Sequence, residues 1–313
     1  GSNILRSGVS IFVLLPLTTY YLSVSEIGLY ALLNLLSQVI MAPLNAGGNL
    51  IINAYYFSLN DSQRKELFSH IYLFEIGLKI LCFIFVLFLG DVLLKLLVED
   101  YDQSLVVVFY LLTSSVIFSS TKPILDHFFT VRKESTRYVY FNVADIAVLI
   151  LCAFACLHVL ELGLKGYALA VLLSAALMSM INITIISRYT KVMFRRRWLV
   201  LIYLKGIRLF YANLFENVNN FYDSYVVQKA LSLQDLGLYS HGKQYAVKLG
   251  VLDKAFFQSY SVSYLKSLNG ESDLNLFRAS LFWYGFLFVL GVGLITLSDK
   301  VIALLTHDKL TAS

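Results

Sequence analysis

The segment L-S-V-S-E-I-G-L-Y at residues 22–30 returns as L-S-L-Q-D-L-G-L-Y at residues 231–239, an offset of 209 residues. A second pair of similar segments lies further along: G-D-V-L-L-K-L-L-V-E-D at 90–100 and S-D-K-V-I-A-L-L-T-H-D at 298–308. The aligned aspartates of this second pair, Asp91 and Asp299, give an offset of 208 residues. Two separate matches at nearly the same offset indicate that the chain consists of two repeated halves.

The composition is that of a membrane protein. Of its 313 residues, 58% are hydrophobic and only 14% are charged, whereas soluble domains carry about 25% charged residues. A spanning helix needs about 20 mostly apolar residues, and the apolar runs lack the period-two alternation of a membrane barrel. The predicted spans are 4–22, 28–57, 70–98, 104–128, 138–158, 163–187, 207–230, 237–265 and 276–297. The predicted fold class is therefore an all-α, multi-pass membrane protein.

The loops that follow the even-numbered helices carry most of the cations. These cations are Arg64 and Lys65, then Arg132, Lys133 and Arg137, then Arg188, Lys191, Arg195, Arg196, Arg197, Lys205 and Arg208, and finally Lys266 and Arg278. Because Lys and Arg collect on the cytoplasmic side, the N-terminus and these loops are predicted to be cytoplasmic. The basic run 195–197 would also suit nucleic acid, but its place between two spans favours the topological interpretation, and no nucleic-acid partner is expected.

The offset divides the predicted helices into two lobes. Residues 1–206 form an N-terminal lobe of six helices with a basic cytoplasmic loop, and residues 207–313 form an incomplete C-terminal lobe of three helices. Six is an even number, so the halves are expected to be parallel repeats around a central cavity. The repeat spacing predicts about three further helices, on the order of 100 residues, for the second half.

The repeat segments and their surroundings resemble O-antigen and polysaccharide flippases of the Wzx type, in the multidrug/oligosaccharidyl-lipid/polysaccharide exporter superfamily. The residues that carry the resemblance are L-L-P-L-T-T-Y-Y-L-S-V-S-E-I-G-L-Y at 14–30, Ala42 with Gly47 and Gly48, Y-Y-F at 55–57, Asp223 in F-Y-D-S-Y-V-V, and L-S-L-Q-D-L-G-L-Y-S at 231–240. The sequence departs from the family at Ser224, where an Arg often follows the Asp.

The resemblance implies a twelve- or fourteen-helix protein of the bacterial inner membrane. Such a protein moves an undecaprenyl-diphosphate-linked oligosaccharide from the cytoplasmic to the outer leaflet for polysaccharide or lipopolysaccharide biosynthesis. Many members are thought to couple this movement to an ion gradient, so the implied partners are the lipid-linked oligosaccharide, membrane lipids, and H⁺ or Na⁺.

Amides in helix two mark a candidate substrate-binding face. At 100° per residue, Asn34, Asn45 and Asn49 lie within about 60° of one another. Adding the offset carries these positions to Lys243, Lys254 and Gln258 in helix eight. The two ammonium groups would attract an anionic diphosphate in a low-dielectric cleft. The alternative is that both lysines extend to the membrane interfaces or pair with Asp253. His241 and Lys248 are predicted to point away from this face.

Helix seven carries a second polar stripe, formed by Asn213, Asn217, Asn220, Ser224 and Gln228. Amides and hydroxyls both donate and accept hydrogen bonds, as sugar hydroxyls require, although the same groups also serve helix–helix contacts. Glu216 and Asp223 flank the stripe and are the candidate ion-coupling residues. Elsewhere, Glu75 with Lys79 is predicted to form a local ion pair, and Asp145 is predicted to interact with Asn142.

Two alternatives to the flippase remain. A cation-coupled multidrug antiporter of the same superfamily tends to carry an acid in its first helix, and residues 3–22 contain none. A membrane glycosyltransferase or polymerase needs a catalytic loop, and the longest predicted loop, 188–206, holds no carboxylate. The sequence shows no phosphate-binding glycine loop, metal-ligand spacing or nucleophile–base pattern. A transporter without cofactor or metal is therefore expected, not an enzyme.

Overall fold

The structure, a computed structural model, describes residues 8–41, 51–52, 55, 59–98, 102–119, 121–132, 134–188, 196–244, 246–247, 250 and 274–296. All regular elements within these ranges are helices. They are α1 (Ser10–Tyr21), α2 (Val24–Met41), α3 (Asp61–Leu97), α4 (Gln103–Ser119), α5 (Thr121–Val131), α6 (Ser135–Phe154), α7 (Gly163–Ser187), α8 (Arg196–Ala230), α9 (233–244) and α10 (Leu274–Thr296). A π-helical turn, Ser10–Leu14, begins α1, and another, Ala155–Val159, continues α6.

Five stretches of the described chain are long and apolar enough to cross a bilayer. They are Val24–Met41, Asp61–Leu97, Gln103–Asp126, Thr136–Val159 and Gly163–Ser187. Large apolar side chains on the outside of the bundle, such as Phe88 and Leu96 of α3, are 80% and 73% exposed. Such exposure is unfavourable in water and suits a lipid-facing surface. The predicted all-α, multi-pass membrane fold is confirmed.

Two helices begin earlier than predicted. Helix α3 starts at Asp61 rather than near 70, because Asn60 and Gln63 form a reciprocal capping box there. Helix α8 starts at Arg196 rather than near 207, so the end of the predicted loop 188–206 is helical. Trp198 and Ile202 of this added segment are buried in the core. Apolar runs locate the part of a helix that crosses the membrane, and both helices extend beyond that part.

Other predicted spans differ in smaller ways. The span predicted at 104–128 corresponds to the stretch Gln103–Asp126, which includes α4 and the start of α5, with residue 120 outside the described chain, and the span at 163–187 coincides with α7. The span at 28–57 is helical up to Met41, and residues 42–50 lie outside the described chain. The described part of the span at 237–265 ends at residue 250.

Helix α7 connects the two ends of the bundle. At its start, a Cβ on Gly163 would lie 3.4 Å from Oε1 of Glu26. At its other end, Arg188 shares a pocket with Arg64 and Arg132. Since 25 helical residues extend about 37 Å, these two groups lie at opposite ends of the bundle. Three of the predicted basic loops therefore meet at one end, and the 22–30 repeat segment begins at the other.

Candidate functional site

Both copies of the repeated segment begin a helix in the same way. Ser23 Oγ donates to Glu26 Oε2 at 2.9 Å, and the backbone N–H of Glu26 lies 3.3 Å from Ser23 Oγ. In the second copy, Ser232 Oγ donates to Asp235 Oδ2 at 2.5 Å, and the N–H of Asp235 donates back to Ser232 Oγ at 3.0 Å. These contacts satisfy backbone donors at the starts of α2 and α9. The repeat is therefore a structural one, with a serine and an acid in matching roles.

The two repeated segments pack directly against each other at their glycines. A Cβ on Gly28 would lie 2.3 Å from the carbonyl oxygen of Leu233, and a Cβ on Gly237 would lie 2.1 Å from that of Val24. Gly28 and Gly237 are equivalent positions of the repeat, and so are Val24 and Leu233. Each half thus makes the same contact with the other, as expected for a pseudo-two-fold axis passing between α2 and α9.

A cavity of about 370 Å³ lies beside this contact, bounded by α1, α2, α7, α8 and α9. Four positions of α2 and their four equivalents in the range 240–247 line it from the two sides. These pairs are Ala31 with Ser240, Asn34 with Lys243, Leu35 with Gln244, and Gln38 with Val247. The cavity therefore lies on the pseudo-two-fold axis, between the repeated halves.

Lys243 is the cationic residue among the described residues that line this cavity. Its Nζ is shielded from solvent and has no hydrogen-bond partner within the described chain. Asp223 Oδ2 lies 3.8 Å away, beyond hydrogen-bond distance, and the Tyr239 ring centroid lies 5.5 Å away. An ammonium group in such surroundings attracts an anion strongly, because the effective dielectric constant is far below that of water.

Four predicted residues line the cavity together: Asn34, Asn220, Ser224 and Lys243. Gln228 of the same stripe is buried but is not among the described lining residues. Asn217 is partly buried and Glu216 is exposed, and neither is among the described lining residues. Asp223 lies beside Lys243. Four other predicted residues lie outside the described chain: Asn45, Asn49, Lys254 and Gln258. For Asn213 the structure describes the helical backbone but not the side chain.

His241 corrects the sequence interpretation. It was expected to point away from the binding face, but it is 3% exposed and lines the same cavity as Lys243. The reason is that the described lining residues from Ser240 to Val247 cover a wide range of directions and do not form a single stripe. Tyr30 and Tyr167, whose rings are 4.8 Å apart, also line the cavity and were missed. The place of Tyr30 in the repeated segment is the signal that could have found it.

A second cavity of about 300 Å³ lies inside the first half and shares Asn34 and Gln38 with the central one. Its wall contains an ion pair between Lys122 and Asp145. The predicted interaction of Asp145 with Asn142 is wrong, because the Asn142 amide instead donates to the carbonyl of Tyr138 at 3.0 Å. The predicted local pair of Glu75 and Lys79 is buried, and the two charges interact.

The arrangement of helices is similar to that of a solved structure described as the inward-facing conformation of a multidrug resistance MATE family transporter of the MOP superfamily. The similarity has a TM-score of 0.65 and covers 99% of this chain and 75% of that one, at 14% sequence identity. The chain has the fold of a MATE transporter. At this identity the likeness establishes the fold and leaves the substrate open. No protein-family model matches the sequence, and no curated protein matches it either.

Proposed function

We propose that the protein is a flippase that moves an undecaprenyl-diphosphate-linked oligosaccharide across the bacterial inner membrane by alternating access. The observation that carries the proposal is Lys243, a shielded ammonium without a hydrogen-bond partner in the described chain, on the wall of a cavity between two repeated halves. Its charge suits a diphosphate. The amides of Asn34, Gln38 and Asn220 on the same wall suit sugar hydroxyls.

The proposed movement follows from where the halves meet. Gly28 and Gly237 pack together at the end opposite the basic loops, and the positive-inside rule makes that the outer end. With this contact formed, the cavity is closed towards the outside. In the proposed cycle, the lobes 1–206 and 207–313 rock about the pseudo-two-fold axis, so that this contact opens while the cytoplasmic side closes.

Asp223 is the better placed of the two proposed ion-coupling residues. Its carboxylate lies 3.8 Å from Lys243 Nζ and competes with an anionic substrate for that ammonium. Protonation of Asp223, or a Na⁺ ion bound to it, would release Lys243 to bind the diphosphate. Glu216 is exposed on the same helix and remains the second candidate.

The test is complementation of a strain that lacks its own flippase. Lys243→Gln should keep the protein in the membrane while the transport rate falls roughly 10- to 100-fold, the cost of one charged hydrogen bond. Lipid-linked oligosaccharide should then accumulate inside the cell. Lys254→Gln is expected to act similarly. The matched control is Lys165→Gln, because Lys165 is an exposed cation at the start of α7. Normal surface polysaccharide in the Lys243 variant would contradict the proposal.

A cation-coupled multidrug antiporter is the second candidate, because the cavity wall also contains apolar side chains such as Leu14, Leu15 and Ile27. None of the described lining residues is an acid, and Lys243 would repel a cationic drug. Ion-driven efflux of a cationic dye from vesicles, with polysaccharide export unaffected, would favour this candidate over the flippase.

A further inference from the structure

A second candidate binding site lies at the basic end of the bundle, opposite the end where Gly28 and Gly237 pack together. Three helix ends converge there: the start of α3, the end of α5 and the end of α7. They enclose a pocket of about 550 Å³, within the size range of ordinary ligand sites. Its cations are Arg64, Lys65, Arg132 and Arg188, and its carboxylates are Asp61 and Glu134. The lining therefore has a formal charge of +2.

The two carboxylates neutralise two of these cations and leave the other two available. Arg64 Nη1 donates to Asp61 at 2.9 Å, and Arg132 Nε donates to Glu134 at 2.8 Å. The side chains of Lys65 and Arg188 make no ion pair or hydrogen bond within the described chain, although both residues line the pocket. Two unpaired cations beside two fixed guanidinium groups are the arrangement that binds a phosphate group in proteins.

The floor of the pocket is aromatic. Phe68 and Phe128 are 3% and 6% exposed, with ring centroids 5.5 Å apart. The Arg132 guanidinium lies 5.1 Å from the Phe128 centroid, a cation–π contact that helps to hold it in place. A polar mouth over an aromatic floor at a helix end is typical of the membrane–water interface.

Apolar surface continues from the pocket towards the bilayer. Leu73 of α3 is 51% exposed and lies eight residues after Lys65, about 12 Å further along the helix. Beyond it, the exposed side chains of Ile80, Leu81 and Ile84 extend the same apolar helix. A ligand with a phosphate in the pocket and hydrocarbon chains along α3 would satisfy both surfaces, whereas free phosphate would use only the first.

We propose that this pocket binds the phosphate group of a lipid in the cytoplasmic leaflet. Basic pockets at the cytoplasmic ends of transmembrane helices favour such headgroups. The phosphate has two sources, an anionic phospholipid or a polyprenyl diphosphate. The site itself does not depend on the proposed flippase activity, since it uses none of the residues of the central cavity.

The experiment measures lipid bound to the purified protein in nanodiscs of phosphatidylcholine containing phosphatidylglycerol, by native mass spectrometry. Lys65→Gln combined with Arg188→Gln removes the two unpaired charges without stranding an acid. At about 5-fold per cation near the surface, the double variant should bind phosphatidylglycerol about 25-fold more weakly. Arg197→Gln combined with Arg278→Gln is the matched control, because both are exposed cations of the predicted cytoplasmic loops and neither lines the pocket.

Added undecaprenyl diphosphate distinguishes the two sources. If it displaces phosphatidylglycerol, the pocket holds the diphosphate of a polyprenyl lipid, and if it does not, the occupant is the phospholipid headgroup. An equal loss of binding in the control pair would overturn the proposal, as would full binding in the pocket pair. Displacement by inorganic phosphate at the same concentration as the lipid would also overturn it. Lys165→Gln, an exposed cation that lines neither cavity, should leave this binding unchanged, and because the assay measures binding without transport, its outcome is separate from that of the flippase test.

Discussion

The glycine contact between the repeated halves makes a prediction about Gly237→Ala. The new Cβ would lie 2.1 Å from the Val24 carbonyl oxygen and 2.8 Å from Val24 Cγ1. Non-bonded heavy atoms pack at about 3.5 Å, so α2 and α9 must separate by roughly 1 Å. The obstructing atom is part of the backbone and cannot move aside alone. The substitution should therefore loosen the outer contact between the halves.

The size of the effect follows from the packing cost alone. Overpacking a tight contact costs about 1–3 kcal/mol, whereas the gain of about 0.5–1 kcal/mol from replacing a helical glycine by alanine is the same in both arrangements and cancels. The closed arrangement should therefore lose about 1–3 kcal/mol relative to one in which the halves are apart, a shift of about 5- to 150-fold in population. Gly242→Ala is the matched control, since a Cβ on Gly242 meets nothing within 4 Å. It should stabilise α9.

Spin labels report the separation of the halves directly. Ser25 and Gln234 are equivalent positions of the repeat, and both are exposed. Cysteines placed there, after replacement of Cys82, Cys152 and Cys156, carry the labels for electron–electron distance measurements in nanodiscs. Gly237→Ala should increase the fraction of long distances, and Gly242→Ala should not. The same distance distribution in both variants would refute the packing argument.

Three further predictions concern stability in detergent, followed by thermal unfolding. Lys122→Met should lower the unfolding free energy by about 3 kcal/mol because it removes the cation that pairs with the largely buried Asp145 carboxylate, and adding Asp145→Leu should restore most of the loss; an unaffected single variant would contradict this. Ser232→Ala should cost about 1 kcal/mol through loss of the α9 cap, and no change would show that the cap is dispensable. Thr121→Val removes the acceptor, 2.7 Å away, of the buried Asn182 amide and should cost about 1–3 kcal/mol, whereas wild-type stability would mean that Asn182 finds another partner.

Much of the fold was predictable because the signals were local. The apolar run at 163–187 coincides with α7, which starts at a glycine with φ of +54°. The starts of α3 and α8 were missed, since polar residues such as Gln63 extend a helix beyond the membrane without any apolar signal. Hydropathy identifies the apolar segment that can lie within the bilayer. The ends of a helix depend instead on capping residues and on tertiary packing such as that of Trp198.

The candidate site was predictable only where the repeat supplied long-range information. The offset placed Asn34 opposite Lys243, and both line one cavity. No periodicity within one helix could identify Lys122, 23 residues away, as the partner of Asp145. His241 was predicted to point away from the binding face because its angle on an ideal helix differs from that of Lys243. A cavity bounded by several helices can nevertheless be lined by side chains that leave one helix in quite different directions.

The repeat also shows where the halves differ, and this difference bears on the substrate. Equivalent positions of the two halves line the cavity, yet Asn34 is neutral where Lys243 is charged, and Leu35 is apolar where Gln244 is polar. A symmetric cavity would hold a substrate equally well in two orientations. Among the described lining residues, the positive charge belongs to the second half only. An elongated substrate with an anionic head would therefore have one preferred orientation. That head should bind against α9, where Asp223 lies close enough to Lys243 to compete for the ammonium. A molecule with a diphosphate at one end and uncharged hydroxyls beyond it matches this asymmetry better than a compact cation does.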